Sequence, residues 1–109
     1  MSLDVQGIGS AMIDAARASA ATRWPKLHLL AETELPKLAQ SLADVANQLA
    51  EGKIVEAHAR QLVHMHQISA RQVLQTIEGI ALLTAEQAIQ AGIRAVAKAV
   101  NGAAKVTLV

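Results

Sequence analysis

The sequence has no cysteine, no tyrosine and no phenylalanine, and Trp24 is its only aromatic residue. Without thiolates there can be no disulfide framework, cysteine zinc site, iron–sulfur cluster or cysteine nucleophile. One aromatic is too few for a stacking platform on single-stranded nucleic acid. An excess of one charge is also missing, since ten Lys+Arg stand against nine Asp+Glu in 109 residues. That balance does not attract a polyanion, and no nucleic-acid partner is expected. No run reaches the roughly 18–20 uncharged apolar residues of a transmembrane segment. Asp4, Asp14, Arg17, Glu78, Glu86 and Arg94 interrupt every candidate. The opening Met1-Ser2-Leu3-Asp4 has no basic stretch leading into an apolar one. A secretory signal is therefore not expected, and a cytoplasmic location is the default expectation.

What is present is alanine, 23 residues of it, in a chain that is 52% hydrophobic. Mean hydropathy is +0.29, too apolar for a disordered chain, and the length suits one domain spanning 1–109. The expected fold class is all-α. Two long helices form an antiparallel hairpin, with shorter N- and C-terminal helices, packed as an oligomeric helical bundle.

The clearest periodicity lies between Trp24 and Glu51. Trp24, His28, Ala31, Leu35, Leu38, Leu42, Val45 and Leu49 alternate in steps of four and three, as in a heptad seam of coiled-coil type. Pro25 suits a first helical turn, where its missing N–H costs nothing. Pro36 lies inside the seam without interrupting it. The spacing predicts one helix over 24–51, kinked near Glu32–Pro36; a break with Thr33 capping a fresh helix is the alternative. Gly52 is placed to end this helix, and the short Glu51-Gly52-Lys53 loop turns the next one back beside it.

From Lys53 to Leu83 a second helix is expected. Val55, Leu62, His66, Val73, Ile77 and Ile80 share one sector, opposite Glu56, Arg60, His64, Gln67, Arg71, Gln75 and Glu78. Glu56 and Arg60 form a favourable i,i+4 pair. Beyond Leu82 the apolar positions Ala85, Ile89, Ile93, Val96 and Val100 point about 150° away from the previous face. Thr84-Ala85-Glu86-Gln87 reads as a capping box, which puts a boundary or sharp kink at Leu83–Thr84 and a helix over 84–101. A continuous helix touching different neighbours on its two halves is the alternative. Asn101-Gly102 would end this helix, leaving Lys105–Val109 as a short apolar tail. At the other end Gly7 and Gly9 discourage helix before Ser10, so a first helix is expected over 10–22.

The histidines raise the question of a metal. His58, His64 and His66 crowd one helix, and His28 with Glu32 forms an i,i+4 pair that could chelate. His64 and His66 are two apart, about 200° around a helix, so they cannot share an ion within one chain. A hairpin about Gly52 sets His28 and His66 about 15 Å apart along its axis. There is no Glu-x-x-His, the di-iron signature of helical bundles. No metal or other cofactor is expected, and these residues are candidates only for an intersubunit His/Glu site. His28 and His66 lie on apolar faces, where a hydrogen-bonded neutral imidazole is the plain reading and a pH-sensitive interface the sharper one.

Gly7-Ile8-Gly9-Ser10 lacks the third glycine, the preceding strand and the Gly-Lys-Ser/Thr of a phosphate loop. Ser10, Ser19, Ser41 and Ser69 have no nucleophile-elbow context. Catalysis would need a site assembled from several protomers, and no enzyme is expected. The last helix is rich in small residues, Ala81, Ala85, Ala88, Ala91, Gly92, Ala95 and Ala99, which allow close backbone approach. After Glu86 its only charges are Arg94, Lys98 and Lys105, so a peripheral membrane role for this amphipathic helix is a further alternative.

Helices of such unequal length leave part of the seam uncovered, and a second copy of the chain is the simplest cover. The expected function is thus a non-enzymatic, self-associating bundle serving as an assembly, adaptor or structural component of bacterial or phage type. Its partners would be itself, as a homodimer or higher oligomer, and another protein encoded nearby. The expected interface comprises Trp24, Leu35, Leu38, Leu42, Val45, Leu49, Ile89, Ile93 and Val96. On this reading Leu38→Asp dissociates the oligomer or unfolds it.

Overall fold

Asp4 starts the first helix. In the computed structural model, which describes residues 3–109, its carboxylate accepts a hydrogen bond from the Gly7 N–H at 3.1 Å. Helix α1 then runs Val5–Ala20, five residues earlier than the two glycines suggested. An aspartate N-cap offsets the glycine propensity cost, and tertiary contact accounts for at least one of the glycines. Gly9 is buried, and a Cβ there would lie 3.5 Å from the Pro36 Cα on the next helix. A single 3-10 turn, Ala21–Arg23, reverses the chain into α2, Trp24–Ala50.

Helix α2 is continuous through Pro36. Thr33 caps no new helix; its hydroxyl donates back to the Leu29 carbonyl at 3.2 Å, as a mid-helix threonine does. The end of α2 is a Schellman motif: the Lys53 N–H reaches the Gln48 carbonyl at 2.9 Å and the Gly52 N–H reaches Leu49 at 3.1 Å. Gly52 sits at φ 75°, the left-handed region that motif requires.

Helix α3 runs Glu56–Leu74, three residues later and nine residues shorter at its end than the periodicity implied. The Thr76 hydroxyl donates to the Val73 carbonyl at 2.7 Å, and Gly79 at φ 85° then turns the chain. Ile80 still reaches the core, but from the connecting segment. A loop residue that packs inward at helical spacing looks like one more turn of helix. Helix α4 begins at Leu82 after an Ala81 cap with no side-chain hydrogen bond, so the Thr84 capping box does not form. The chain does break between the two helices, but over residues 75–81, ahead of the expected Leu83–Thr84 boundary. Helix α4 passes Gly102 and ends at Ala104, with Lys105 in the left-handed region at φ 65°.

The architecture is all-helical, with no strand among the described residues. α1 and α3 flank the α2–α4 pair from opposite sides, α1 packing closely on both and α3 mainly on α2. The close fit of α1 comes from small residues. A Cβ at Gly92 of α4 would meet Met12 of α1 at 3.4 Å and Leu35 of α2 at 3.6 Å. Met12, Leu27, Leu35, Leu42, Leu74 and Val100 are the largest fully buried side chains. No described polar or charged residue is buried. Among the described residues no helix is long and apolar enough to cross a membrane.

This packing corrects the expected interface. Leu35, Leu38, Leu42, Val45, Ile89, Ile93 and Val96 are all buried within one chain. α1, α3 and α4 supply the cover that the seam lacked, and these seven side chains have almost no surface left for a second copy. Trp24 and Leu49 are half-buried at the two ends of α2.

Candidate functional site

The histidines do not converge. His58 and His64 are exposed on α3, while His66 and His28 are half-buried on α3 and α2. His28 Nδ1 lies 3.8 Å from the Glu32 carboxylate, and its ring centroid is 6.5 Å from that of Trp24. The Arg17 guanidinium caps the other part of this strip, 5.5 Å from the Trp24 ring centroid, a cation–π contact fixing α1 to the start of α2. Among the described residues no three His, Asp or Glu side chains are grouped as metal ligands would be. The candidates His28, Glu32, His58, His64 and His66 therefore amount to one pair and three separate side chains.

Two concave features stand out among the described residues. The first is a small cleft of about 190 Å³ between α3 and α4, lined by His64, Gln67, Arg71, Glu86 and Gln90 over Ile68 and Ile89. Arg71 Nη1 and Glu86 Oε1 pair across it at 3.1 Å, while Arg71 Nε is buried with no hydrogen-bond partner. The two opposite charges already satisfy each other. What the cleft contains is a structural ion pair between the two least tightly packed helices.

The second is a groove of about 1090 Å³ at the far end of the bundle. Its cause is a difference in helix length. α1 has 16 residues, α2 has 27 and α4 has 23, or about 24, 40 and 34 Å. Gly9 faces Pro36 and Ala39, and Met12 faces Gly92. From that register α1 stops about 8–13 Å short of the ends of α2 and α4. Asn47, Ala50 and Glu51 form one wall. The other wall and the floor come from Ala95, Ala99, Gly102 and Ala103 of α4, with Lys98 and Lys105 at the rim.

The electrostatics of the rim are one-sided. Glu51 is held by Lys53 at 2.8 Å, and that hydrogen bond and the carboxylate charge raise the Lys53 pKa above the ordinary lysine value. Among the described residues neither Lys98 nor Lys105 has a carboxylate within ion-pair distance. The groove therefore has an alanine and glycine floor and a net positive edge.

Sequence reasoning recognised the small residues of α4 but not the groove, because a groove is a property of where a neighbouring helix stops. It also missed Asn101. That side chain accepts from the Leu108 N–H at 2.7 Å and the Val109 N–H at 2.9 Å, and donates to the Val109 carbonyl at 3.1 Å. Arg60 of α3, paired with Glu56, donates to the Thr107 carbonyl at 2.8 Å. The apolar tail is thereby folded against the bundle, and Leu108 is buried. Comparison with known protein families, with curated proteins and with solved structures finds no match.

Proposed function

We propose that the chain is a non-enzymatic assembly or adaptor protein that self-associates through apolar side chains left outside its own core. The observation that carries this reading is the pair Leu82 and Leu83, 49% and 61% exposed at the first turn of α4. They adjoin the connecting segment that holds half-buried Ile77. Neither belongs to the buried core, and about half of each side chain stays in water. Withdrawing the exposed part of each leucine from water contributes about 1 kcal/mol or somewhat more, roughly half the value of full burial, which favours contact with another surface. The groove lies at the opposite end of a body 42 Å long. Two unlike surfaces at opposite ends suit a component that joins others.

Sedimentation velocity on wild-type protein and on a Leu82→Glu, Leu83→Glu double variant tests the proposal. The wild type should sediment as a dimer or larger species at micromolar concentration, and the variant as a monomer with unchanged helical circular dichroism. A wild type that stays monomeric to about 1 mM, equivalent to an affinity weaker than about −4 kcal/mol, defeats the self-association reading.

A further inference from the structure

We infer that α3 is a hinged lid on the other three helices and that the C-terminal tail is its strap. Helix and tail open together as one unit, while α1, α2 and α4 stay folded. The inference goes beyond the self-association reading and uses none of its residues.

The first argument is how little α3 shares with the rest of the chain. It packs on α2, meets α4 lightly and does not touch α1. Val63 and Leu74 are the side chains larger than alanine that it buries. Its Arg60, His64, Gln67 and Arg71 follow at steps of four, three and four, which makes one polar stripe. That stripe is turned towards α4 and the tail. His64, Gln67 and Arg71 line the cleft with Glu86 and Gln90, and Arg60 reaches the Thr107 carbonyl. Such a contact loses little when water replaces it, because its polar groups find partners in either state.

The hinges are the second argument. The segments on either side of α3 each carry a glycine at positive φ, Gly52 at 75° and Gly79 at 85°. A Cβ at Gly52 would meet nothing within 4 Å, so that turn is free of packing. Short element-terminal segments of this kind absorb the dihedral changes of a moving helix.

The strap is the third. Two fastenings hold α3 across its polar stripe. Arg71 pairs with Glu86 at 3.1 Å. Three turns earlier, about 16 Å along the helix, Arg60 donates to the Thr107 carbonyl at 2.8 Å. This second fastening passes through the tail, because Asn101 of α4 holds the N–H groups of Leu108 and Val109. Thr107 is thus tied to α3 and Val109 to α4, with buried Leu108 between them. Lifting α3 removes one side of that seat, and freeing the tail removes the clip at Arg60. The open form presents the apolar surface that Val63, Leu74 and Leu108 cover in the closed one, and the strap decides when it is accessible.

Native-state amide exchange on the full chain, followed by NMR at urea concentrations below unfolding, tests the inference. The Val63 and Ala70 amides of α3 and the Leu108 amide should share one opening equilibrium. Its urea slope should lie below that of Met12 and Leu35, on α1 and α2. Each fastening is then removed and read in the other element. Asn101→Ala should lower Val63 and Ala70 protection about tenfold. Arg60→Gln, which leaves the Asn101 bonds in place, should lower Leu108 protection about as much. The chain has no cysteine, so a Val63→Cys variant gives a second reading. Its thiol should react with a maleimide about tenfold faster once Asn101→Ala is added.

α3 protection unchanged by Asn101→Ala, Leu108 protection unchanged by Arg60→Gln, or an α3 slope equal to that of Met12 would each overturn the inference. So would a labelling rate indifferent to Asn101→Ala. The comparison of slopes needs no variant and stands even where one fails to fold. The same exchange pattern is expected in the Leu82→Glu, Leu83→Glu variant, so failure of the self-association reading is distinguishable from failure of this one.

Discussion

Two residues hold backbone conformations that L side chains adopt at a cost. Lys105 closes α4 at φ 65°, ψ 17°, and Ala21 closes α1 at φ 51°, ψ −116°. Lys105 is in the left-handed region and Ala21 in a different positive-φ conformation. A non-glycine residue at positive φ costs roughly 1–2 kcal/mol, and only glycine is free of the Cβ contact responsible. The Lys105 N–H bonds to the Asn101 carbonyl at 2.9 Å, so the conformation caps the helix with a residue glycine would serve better. Lys105→Gly and Ala21→Gly should each stabilise the chain by about 1 kcal/mol, read as a higher urea midpoint at unchanged slope. Lower midpoints for both would show that the side chains, not the backbone, decide these positions. Neither residue advertises itself in the sequence, because nothing about lysine or alanine announces a positive φ.

At the scale of elements, the apolar faces of α2 and α4 were legible because burial on a helix repeats every three or four residues. Ala31, Leu35, Leu38, Leu42 and Val45 follow that period and are buried. Leu27, Ala39, Ala43 and Ala46 are buried as well. They widen the stripe because three helices, not one, surround α2. Gly52 marked the end of α2 in the sequence, but the ends that depend on a single side-chain hydrogen bond were less legible: Gly7 N–H to Asp4 at the start of α1 and the Thr76 hydroxyl to Val73 after α3. The C-terminal tail depends most heavily on one side chain. Removing the Asn101 amide leaves two N–H groups and a carbonyl of part-buried backbone without their partner. Asn101→Ala should cost about 1–3 kcal/mol and free the Leu108 and Val109 amides to exchange with solvent. Retained protection there would mean that Leu108 burial and Arg60 hold the tail unaided.

Over the whole molecule the packing is uneven. The radius of gyration, 13.5 Å, is near the ~13 Å of a compact chain of about 100 residues, yet α3 is the loosest member. It buries only Ala59, Val63, Ala70 and Leu74, and meets α4 across the polar cleft of Arg71 and Glu86. The unpartnered Arg71 Nε on that contact costs further stability. Hydrogen exchange should therefore show α3 opening before α1 and α2, with protection about tenfold lower or more. Uniform protection would make the four helices one cooperative unit. Leu38→Asp, which separates subunits if the seam is an interface, should unfold the chain instead, because Leu38 is 3% exposed within it. Loss of helical circular dichroism checks this, and a folded monomeric variant would contradict it.

The sequence by itself determined the helical class, the three longer helices in outline and the inward faces of α2 and α4. These follow from local spacing, which persists whatever the neighbours are. On α3 the buried residues are Ala59, Val63, Ala70 and Leu74, turned away from the expected Val55, Leu62, His66 and Val73 sector, and the break falls at 75–81 and not at Leu83–Thr84. Tertiary structure decided what covers those faces. α1 begins at Asp4 rather than Ser10 and closes on α2 and α4 through Gly9 and Gly92. The seam thus needs no second chain along most of its length. The same packing opens a groove between the ends of α2 and α4. Alanine and glycine tolerate burial and exposure alike, so their pattern could not say which of them would form a floor and which would lie in the core.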